Sequence, residues 1–178
     1  AAVNLGFSFA SISDSLLNKY SKVSPFQSSS YEPAADLYKL EDELKYFNTL
    51  IISISDQDSS NPKYLNFIRS VAKRKTVIIT LYGEQKSLLN FETINAVLIW
   101  SEEKTAIAAA LVPLIIFGGI GATQKLPTGI SLKYAAGAGY NTTPTRLKYT
   151  LPEDAGVNAE DLQEIDKIAA EAIAARAA

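Results

Sequence analysis

Two short runs of β-branched and apolar residues decide the fold: TLIISIS at residues 49–55 and TVIITL at residues 76–81. Between them lies an amphipathic segment that begins at Pro62, a residue favoured in the first turn of a helix. Its predicted inward-facing residues are Tyr64, Phe67, Ile68 and Val71. A strand, a helix and a second strand in this order are typical of a βαβ unit with two buried parallel strands.

The same alternation continues on both sides of this unit. Further strands are predicted at residues 3–9, 23–27 and 96–100, with a last edge strand at residues 125–131. Pro25 confines residues 23–27 to a sheet edge, because proline cannot donate to a strand ladder. Alternating strands and helices predict a doubly wound α/β domain with a mostly parallel sheet of five to six strands.

The predicted helices have recognisable caps and apolar stripes. Ser11 or Ser13 is expected to cap the first helix, and residues 33–47 are expected to form the second. A further, Ala-rich helix is predicted to start at Ser101, to be buried because it is wholly apolar, and to stop at residues 118–119. The inward stripe of the second helix is Leu37, Leu40, Leu44 and Phe47.

The chain is predicted to have three parts. Residues 1–135 form the α/β sandwich, and residues 136–157, rich in Gly, Ala, Asn, Thr and Pro, form a linker or a wrapping arm. Residues 158–178 form a helix capped by Asn158, with Asp161 three residues later as in a capping box. Its apolar stripe is Leu162, Ile165, Ile168, Ala169 and Ile173.

Composition excludes several classes of function. The 178 residues include no cysteine and no histidine, so the chain alone cannot build a disulfide, a zinc-thiolate site or a Ser-His-Asp triad. The net charge of −2 argues against nucleic acid as a partner, because nucleic-acid binding requires a basic face. The longest apolar run, residues 106–120, is too short to span a membrane, so no membrane span is expected.

The candidate chemistry lies where the predicted strands end. Ligands of doubly wound folds bind beyond the carboxyl ends of the strands. The acidic residues expected there are Asp56 with Asp58, Glu84, and Glu102 with Glu103, beside the serine-rich residues 8–13. These groups could hold a divalent cation or perform acid/base chemistry. They could equally cap helices and complement helix dipoles, which is the interpretation we favour.

A family resemblance enters through residues 117–131, FGGIGATQKLPTGIS. They resemble the end of the C-terminal α/β domain of family 3 glycoside hydrolases, where an Ala-rich helix ends in Phe-Gly and a Gly-(Arg/Lys)-Leu-Pro-Val-(Ser/Thr) stretch follows. The runs at residues 49–56 and 76–83 look like that domain's Thr-Val-Ile-Val and Val-Ile-Leu-Val-Phe-Gly strands. The resemblance implies a flavodoxin-like three-layer α/β/α sandwich.

The downstream residues 146–162, RLKYTLPEDAGVNAEDL, carry a second resemblance. They are similar to the junction of a Bacteroidetes-type fusion in which a family 3 β-N-acetylglucosaminidase continues into a serine hydrolase of the β-lactamase type. The resemblance implies that residues 158–178 are the first helix of that next domain. It also implies that the catalytic aspartate lies on a (β/α)₈ barrel before residue 1, and that the hydrolase serine follows residue 178.

The resulting expectation is a non-catalytic domain that packs on the barrel, through which the carbohydrate substrate would be bound. No cofactor is expected, and the resemblance implies a periplasmic or extracellular location. In other branches of the family this domain donates an acid/base carboxylate, for which Asp56, Glu84 and Glu102 would be the candidates. The alternative is a free-standing flavodoxin-like ligand-binding module.

Overall fold

The β-sheet lies in the first of two units into which the chain divides, residues 1–147 and residues 148–178. The computed structural model describes residues 1–31 and 36–176. The five strands are β1 (Ala2–Leu5), β2 (Pro25–Gln27), β3 (Thr49–Ser55), β4 (Thr76–Tyr82) and β5 (Val97–Ser101). They are all parallel, in the order β2-β1-β3-β4-β5. This is the flavodoxin-like order, so the predicted fold class is confirmed.

Helices cover both faces of the sheet. They are α1 (Ala10–Tyr20), α2 (Tyr38–Glu43), α3 (Pro62–Ala72) and α4 (Ala106–Phe117). Helices α1 and α4 pack against one another on one face, while α2 and α3 share the core on the other. The second helix was predicted over residues 33–47. Residues 33–35 lie outside the described residues, and the remainder forms α2 followed by a 3₁₀ turn, Leu44–Tyr46.

The central βαβ unit forms the main hydrophobic core. Leu50, Ile52 and Ile54 of β3 are fully buried and pair in register with Val77, Ile79 and Leu81 of β4. The four α3 residues predicted to face inward are all buried against them. Because burying one Leu or Ile side chain stabilises a fold by about 1.5–3 kcal/mol, this layer is the largest local contribution to stability.

The opposite face of the same strands is partly polar. Ser53 and Thr80 are buried there, and Thr80 donates a hydrogen bond to the Ser53 Oγ at 3.0 Å. Ser13 of α1 donates to the Ala109 carbonyl of α4 at 2.7 Å. Tyr82 is also fully buried, but its hydroxyl has no hydrogen-bond partner within the described residues. Burial raises the pKa of Tyr82; the nearby Ser13 and Thr80 hydroxyls oppose this only in part, since they donate to other acceptors, and the Tyr82 hydroxyl stays protonated.

The first strand and helix differ from the prediction because the chain turns early. The strand ends at Leu5 instead of residue 9, and Gly6 has a φ of 94°. The Asn4 side chain then accepts a bond from the Phe7 amide at 2.8 Å, which closes the turn. The helix therefore begins at Ala10 with no side-chain cap, and the prediction that Ser11 or Ser13 caps it is wrong.

Three predictions for the second half of the first unit are also wrong. Residues 125–131 form no strand, because their backbone bonds to a returning segment: the Leu126 amide donates to the Ala138 carbonyl at 2.9 Å. Helix α4 begins after Thr105, whose hydroxyl accepts from the Ala108 amide at 3.2 Å, and does not begin at Ser101. It is not fully buried either, since Ile107 is 70% exposed. Its predicted stop is confirmed at Gly118, which has a left-handed φ of 76°.

The second unit contains a 3₁₀ turn, Pro152–Ala155, and helix α5 (Ala159–Ala174). The predicted cap is confirmed, because the Asn158 side chain accepts a bond from the Glu160 amide at 3.1 Å. The residues of its apolar stripe that are solvent-exposed include Leu162, Ile165, Ile168 and Ile173. None of the helices within residues 1–31 and 36–176 is long and apolar enough to cross a membrane.

Candidate functional site

The three candidate carboxylates follow three neighbouring strands. Asp56 comes directly after β3, Glu84 lies two residues beyond β4, and Glu102 comes directly after β5. Because the carboxyl ends of parallel strands meet at one edge of the sheet, the topology brings these three positions to adjacent strand ends. What each side chain does there depends on its contacts.

Asp56 is held in place by donors from the loops after all three strands. Its Oδ1 accepts hydrogen bonds from the Gln57 amide and from the Lys104 Nζ, both at 2.8 Å. Its Oδ2 accepts from the Glu84 amide at 3.0 Å and lies 3.2 Å from the same Lys104 Nζ. The Asp56 side chain is only 10% exposed, whereas that of Lys104 is 40% exposed. Asp56 therefore clamps the β3, β4 and β5 loops together.

The protonation state of Asp56 follows from these contacts. Burial acts to raise the pKa of the carboxyl, but the bonds from Lys104 and from the Glu84 and Gln57 amides outweigh it. The net effect is a pKa below the ordinary value for aspartate. Asp56 is consequently ionised at neutral pH and has no proton to donate, which is unsuited to a general acid.

Gly83 makes this clamp possible. It has a φ of 115°, and a Cβ atom at this position would collide with the Asp56 carboxyl group. The missing side chain lets the β4 loop pass close to Asp56, so that the next amide reaches its Oδ2. The Gly83 carbonyl also accepts a bond from the Trp100 indole at 2.8 Å. A glycine directly after a strand was a visible signal of a close approach, whereas no sequence pattern pairs Lys104 with Asp56, which lies 48 residues away.

Glu84 and Glu102 are different in character from Asp56. Both are exposed, and their carboxylates have no hydrogen-bond or ion-pair partner among the residues the structure describes. Glu84 contacts Asp56 through its backbone amide and not through its carboxylate. The strand ends thus carry one clamped carboxylate and two solvent-facing ones.

Asp58 also has a structural partner. Its Oδ2 accepts a bond from the Ser55 hydroxyl at 2.9 Å. It lies against Gly6, where a Cβ atom would collide with the Asp58 carboxyl group. Within the described ranges no cluster of three His, Cys, Asp or Glu side chains could hold a metal ion. The acidic residues therefore act one by one on the loops and not as a shared ligand set.

A small cleft opens between the ends of β1 and β3, where the strand order reverses. Its volume is about 180 Å³, and it is lined by residues 6–9, Ser55, Gln57 and Lys104. The Phe7 ring stacks on the buried Tyr82 ring, with 3.8 Å between the ring centroids. Of the predicted serine-rich loop, Ser8 lines the cleft, whereas Ser13 is buried beneath α4. The reversal point is where ligands of this fold class bind.

A second cavity, of about 370 Å³, lies at the C-terminal end of α4. It is lined by residues 115–118 together with Thr142, Thr143, Thr145 and Arg146. Helix α4 follows β5 and returns along the sheet, so this cavity lies at the end opposite the strand carboxyl ends. None of the three candidate carboxylates lines it.

Comparison with known proteins gives no match for this chain. No protein-family model, no curated protein and no solved structure matches it. Function therefore has to be inferred from the geometry of the strand ends and from the resemblance of the sequence.

Proposed function

We propose that this chain is the non-catalytic C-terminal domain of a family 3 glycoside hydrolase that acts on β-linked N-acetylglucosaminides. In this role it packs on a (β/α)₈ barrel of the same polypeptide and supports it. The observation that carries the proposal is the Asp56 clamp: the largely buried Asp56 carboxylate already accepts bonds from the Lys104 ammonium and from two backbone amides.

The chemistry of glycoside hydrolysis favours a non-catalytic role for this chain. Most such enzymes need two facing carboxyl groups, one of which must be protonated to act as the acid. The lowered pKa of Asp56 does not fit the acid, and the donors already bound to both of its oxygens argue against its serving as the nucleophile or base. Glu84 and Glu102 are exposed, and no hydrogen bond or ion pair from the described part of the chain holds either carboxylate. The pair of carboxylates would therefore come from the barrel.

The order of the sequence features supports the family assignment. The buried β3 and β4 runs, the Ala-rich helix that ends at Gly118, and the Lys-Leu-Pro-Thr-Gly stretch at residues 125–129 occur in the order that the resemblance requires. The resemblance of residues 146–162 extends the proposal to a serine-hydrolase domain that follows in the same polypeptide, and to a periplasmic or extracellular location.

The catalytic part of the proposal is tested with the purified chain and a chromogenic N-acetyl-β-glucosaminide. The expected result is hydrolysis no faster than in buffer. Hydrolysis that is lost in a Glu84→Gln or Glu102→Gln variant would overturn the non-catalytic assignment. The family part is tested by the coding sequence around these residues, which should encode a (β/α)₈ barrel upstream and a Ser-x-x-Lys motif downstream.

The cleft between β1 and β3 favours one alternative, a flavodoxin-like ligand-binding module. It lies where this fold class binds ligands, although its volume of about 180 Å³ is below the roughly 300–1,000 Å³ of most ligand pockets. Titration of the protein with flavin mononucleotide, followed by flavin fluorescence, separates the two proposals. The support-domain proposal predicts no saturable quenching, whereas tight saturable quenching would favour the binding module.

A further inference from the structure

Residues 118–147 leave α4 and return to its end, and we call this segment the arm. It contains no helix or strand, yet its two limbs are bonded to each other along their length. The outgoing limb is residues 118–126 and the returning limb is residues 137–147. The returning limb includes much of the segment predicted from composition as a linker or wrapping arm.

Three sets of hydrogen bonds join the limbs: one near the tip, one in the middle and one at the base, which is described below. Near the tip, the Leu126 amide donates to the Ala138 carbonyl at 2.9 Å, and the Gly137 amide donates to the Leu126 carbonyl at 2.8 Å. In the middle, Ala122 and Thr142 bond in both directions, at 2.9 Å through the backbone and at 2.8 Å to the Thr142 hydroxyl. The two limbs therefore hold each other without a β-ladder.

At the base, the arm closes on the end of α4. The Gly118 carbonyl accepts bonds from the Thr145 amide at 2.8 Å and from the Arg146 amide at 3.0 Å. These donors satisfy a carbonyl at the helix end, where intrahelical partners run out. The Tyr20 hydroxyl of α1 then donates to the Leu147 carbonyl at 3.2 Å. The ring of Tyr20 stacks on Phe117 at 5.1 Å, so the base is tied to both helices.

The tip of the arm is attached at a separate place. Thr128 and Gln85 exchange two hydrogen bonds, of 2.5 Å and 3.0 Å. The Glu92 carboxylate accepts from the Ser131 hydroxyl at 2.5 Å, and the Glu92 carbonyl accepts from the Lys133 ammonium at 2.6 Å. The arm residues that pack on the main core are Leu126, Ile130 and Tyr134. The base, the middle and the tip of the arm are therefore each held by hydrogen bonds.

Gly121 shows that the two limbs of the arm approach each other closely. A Cβ atom at this position would collide with the Thr142 carbonyl of the returning limb, and it would lie 3.4 Å from Pro144 Cδ. Because the obstructing atom belongs to the backbone, it cannot rotate away as a side chain could. The outgoing limb therefore carries a glycine where the returning backbone passes.

We propose that the arm is a strap that fixes the point at which the chain leaves the first unit, at Leu147. A strap of this kind keeps a segment with the composition of a flexible linker in one position up to Leu147. The proposal uses only contacts within residues 1–147, so it does not depend on the proposed glycosidase role.

The test is ¹⁵N relaxation by nuclear magnetic resonance on the full chain of 178 residues. A strap predicts backbone order parameters for residues 142, 145, 146 and 147 near the rigid value of about 0.85. Order parameters below about 0.6 at these residues would overturn the proposal, because that value describes a flexible linker. This measurement needs no variant, so a failure to fold cannot confuse it.

A matched pair of variants tests the bonding between the two limbs. Thr142→Val removes the hydroxyl that accepts from the Ala122 amide, whereas the neighbouring Thr143 makes no such bond. In Thr142→Val, hydrogen exchange of the Ala122 amide should become roughly 2- to 10-fold faster, as expected for loss of one hydrogen bond. Thr143→Val should leave it unchanged. Equal exchange of the Ala122 amide in both variants would contradict this bond between the limbs.

Discussion

Replacing Asp56 by Asn tests whether this carboxylate is a structural clamp. Asn keeps the shape of the side chain but has one acceptor oxygen, so an NH₂ group must face either the Gln57 amide or the Glu84 amide. Lys104 also loses its anionic partner. We therefore expect Asp56→Asn to fold with lower stability than the original chain, while Glu84→Gln and Glu102→Gln should behave like the original.

The magnitude follows from the contacts. A hydrogen bond to a charged group contributes about 1.5–3 kcal/mol. The ion pair adds at most about 1 kcal/mol, because Lys104 is 40% exposed and water screens its charge. Losing one amide bond and the ion pair should lower the free energy of unfolding by about 2–3 kcal/mol. The exposed glutamate variants should change it by less than about 0.5 kcal/mol.

Urea denaturation at several pH values provides the assay. The folded pKa of Asp56 lies below the unfolded value of about 3.9. Its stabilisation is therefore complete above that unfolded value and is lost as the pH falls through the lower folded value. The stability difference between the original chain and Asp56→Asn should be complete at neutral pH and should shrink as the pH falls below the unfolded value of about 3.9. Equal stability at neutral pH, or a difference that does not change with pH, would refute the clamp.

Three further predictions concern folding stability, measured by urea denaturation. Tyr82→Phe removes a buried hydroxyl without a partner among the described residues, so it should raise the free energy of unfolding by about 1 kcal/mol. A decrease of about that size would instead show that the hydroxyl is hydrogen-bonded. Gly83→Ala should cost about 3 kcal/mol, since it adds a Cβ against Asp56 at a φ of 115°; a neutral result would contradict the close approach. Thr105→Ala removes the α4 cap and should cost about 1 kcal/mol, whereas Thr105→Ser should retain most of the stability.

The fold could be predicted largely from the sequence. The runs at residues 49–55 and 76–81 are rich in β-branched and apolar residues and carry no charge, which is typical of parallel strands buried under helices on both faces. The inward stripe of α3 followed from helical periodicity and is buried as predicted. These features depend on near neighbours in the chain, which a sequence displays directly.

The failures share a dependence on hydrogen bonds that periodicity and residue propensity do not show, whether the partner is near or far along the chain. Residues 125–131 resemble an edge strand, but the Leu126 amide bonds to Ala138 of the returning limb and not to β5. The serines near the first helix are suitable caps, but the Asn4 side chain bonds the Phe7 amide, and the helix starts before either serine could cap it. In both cases the sequence pattern suited the predicted feature, but a competing hydrogen bond determined the structure that formed.

The strand ends show the same division. Sequence alone determined that Asp56, Glu84 and Glu102 follow three consecutive strands, and the tertiary structure placed these strands side by side in the sheet. Only the tertiary structure decided that Asp56 is clamped while the two glutamates face solvent. The clamp joins Asp56 to Lys104 and to the backbone beside Gly83, and these groups meet only when the three loops converge. The charge state and chemistry of a carboxyl group depend on such neighbours in space, not in sequence.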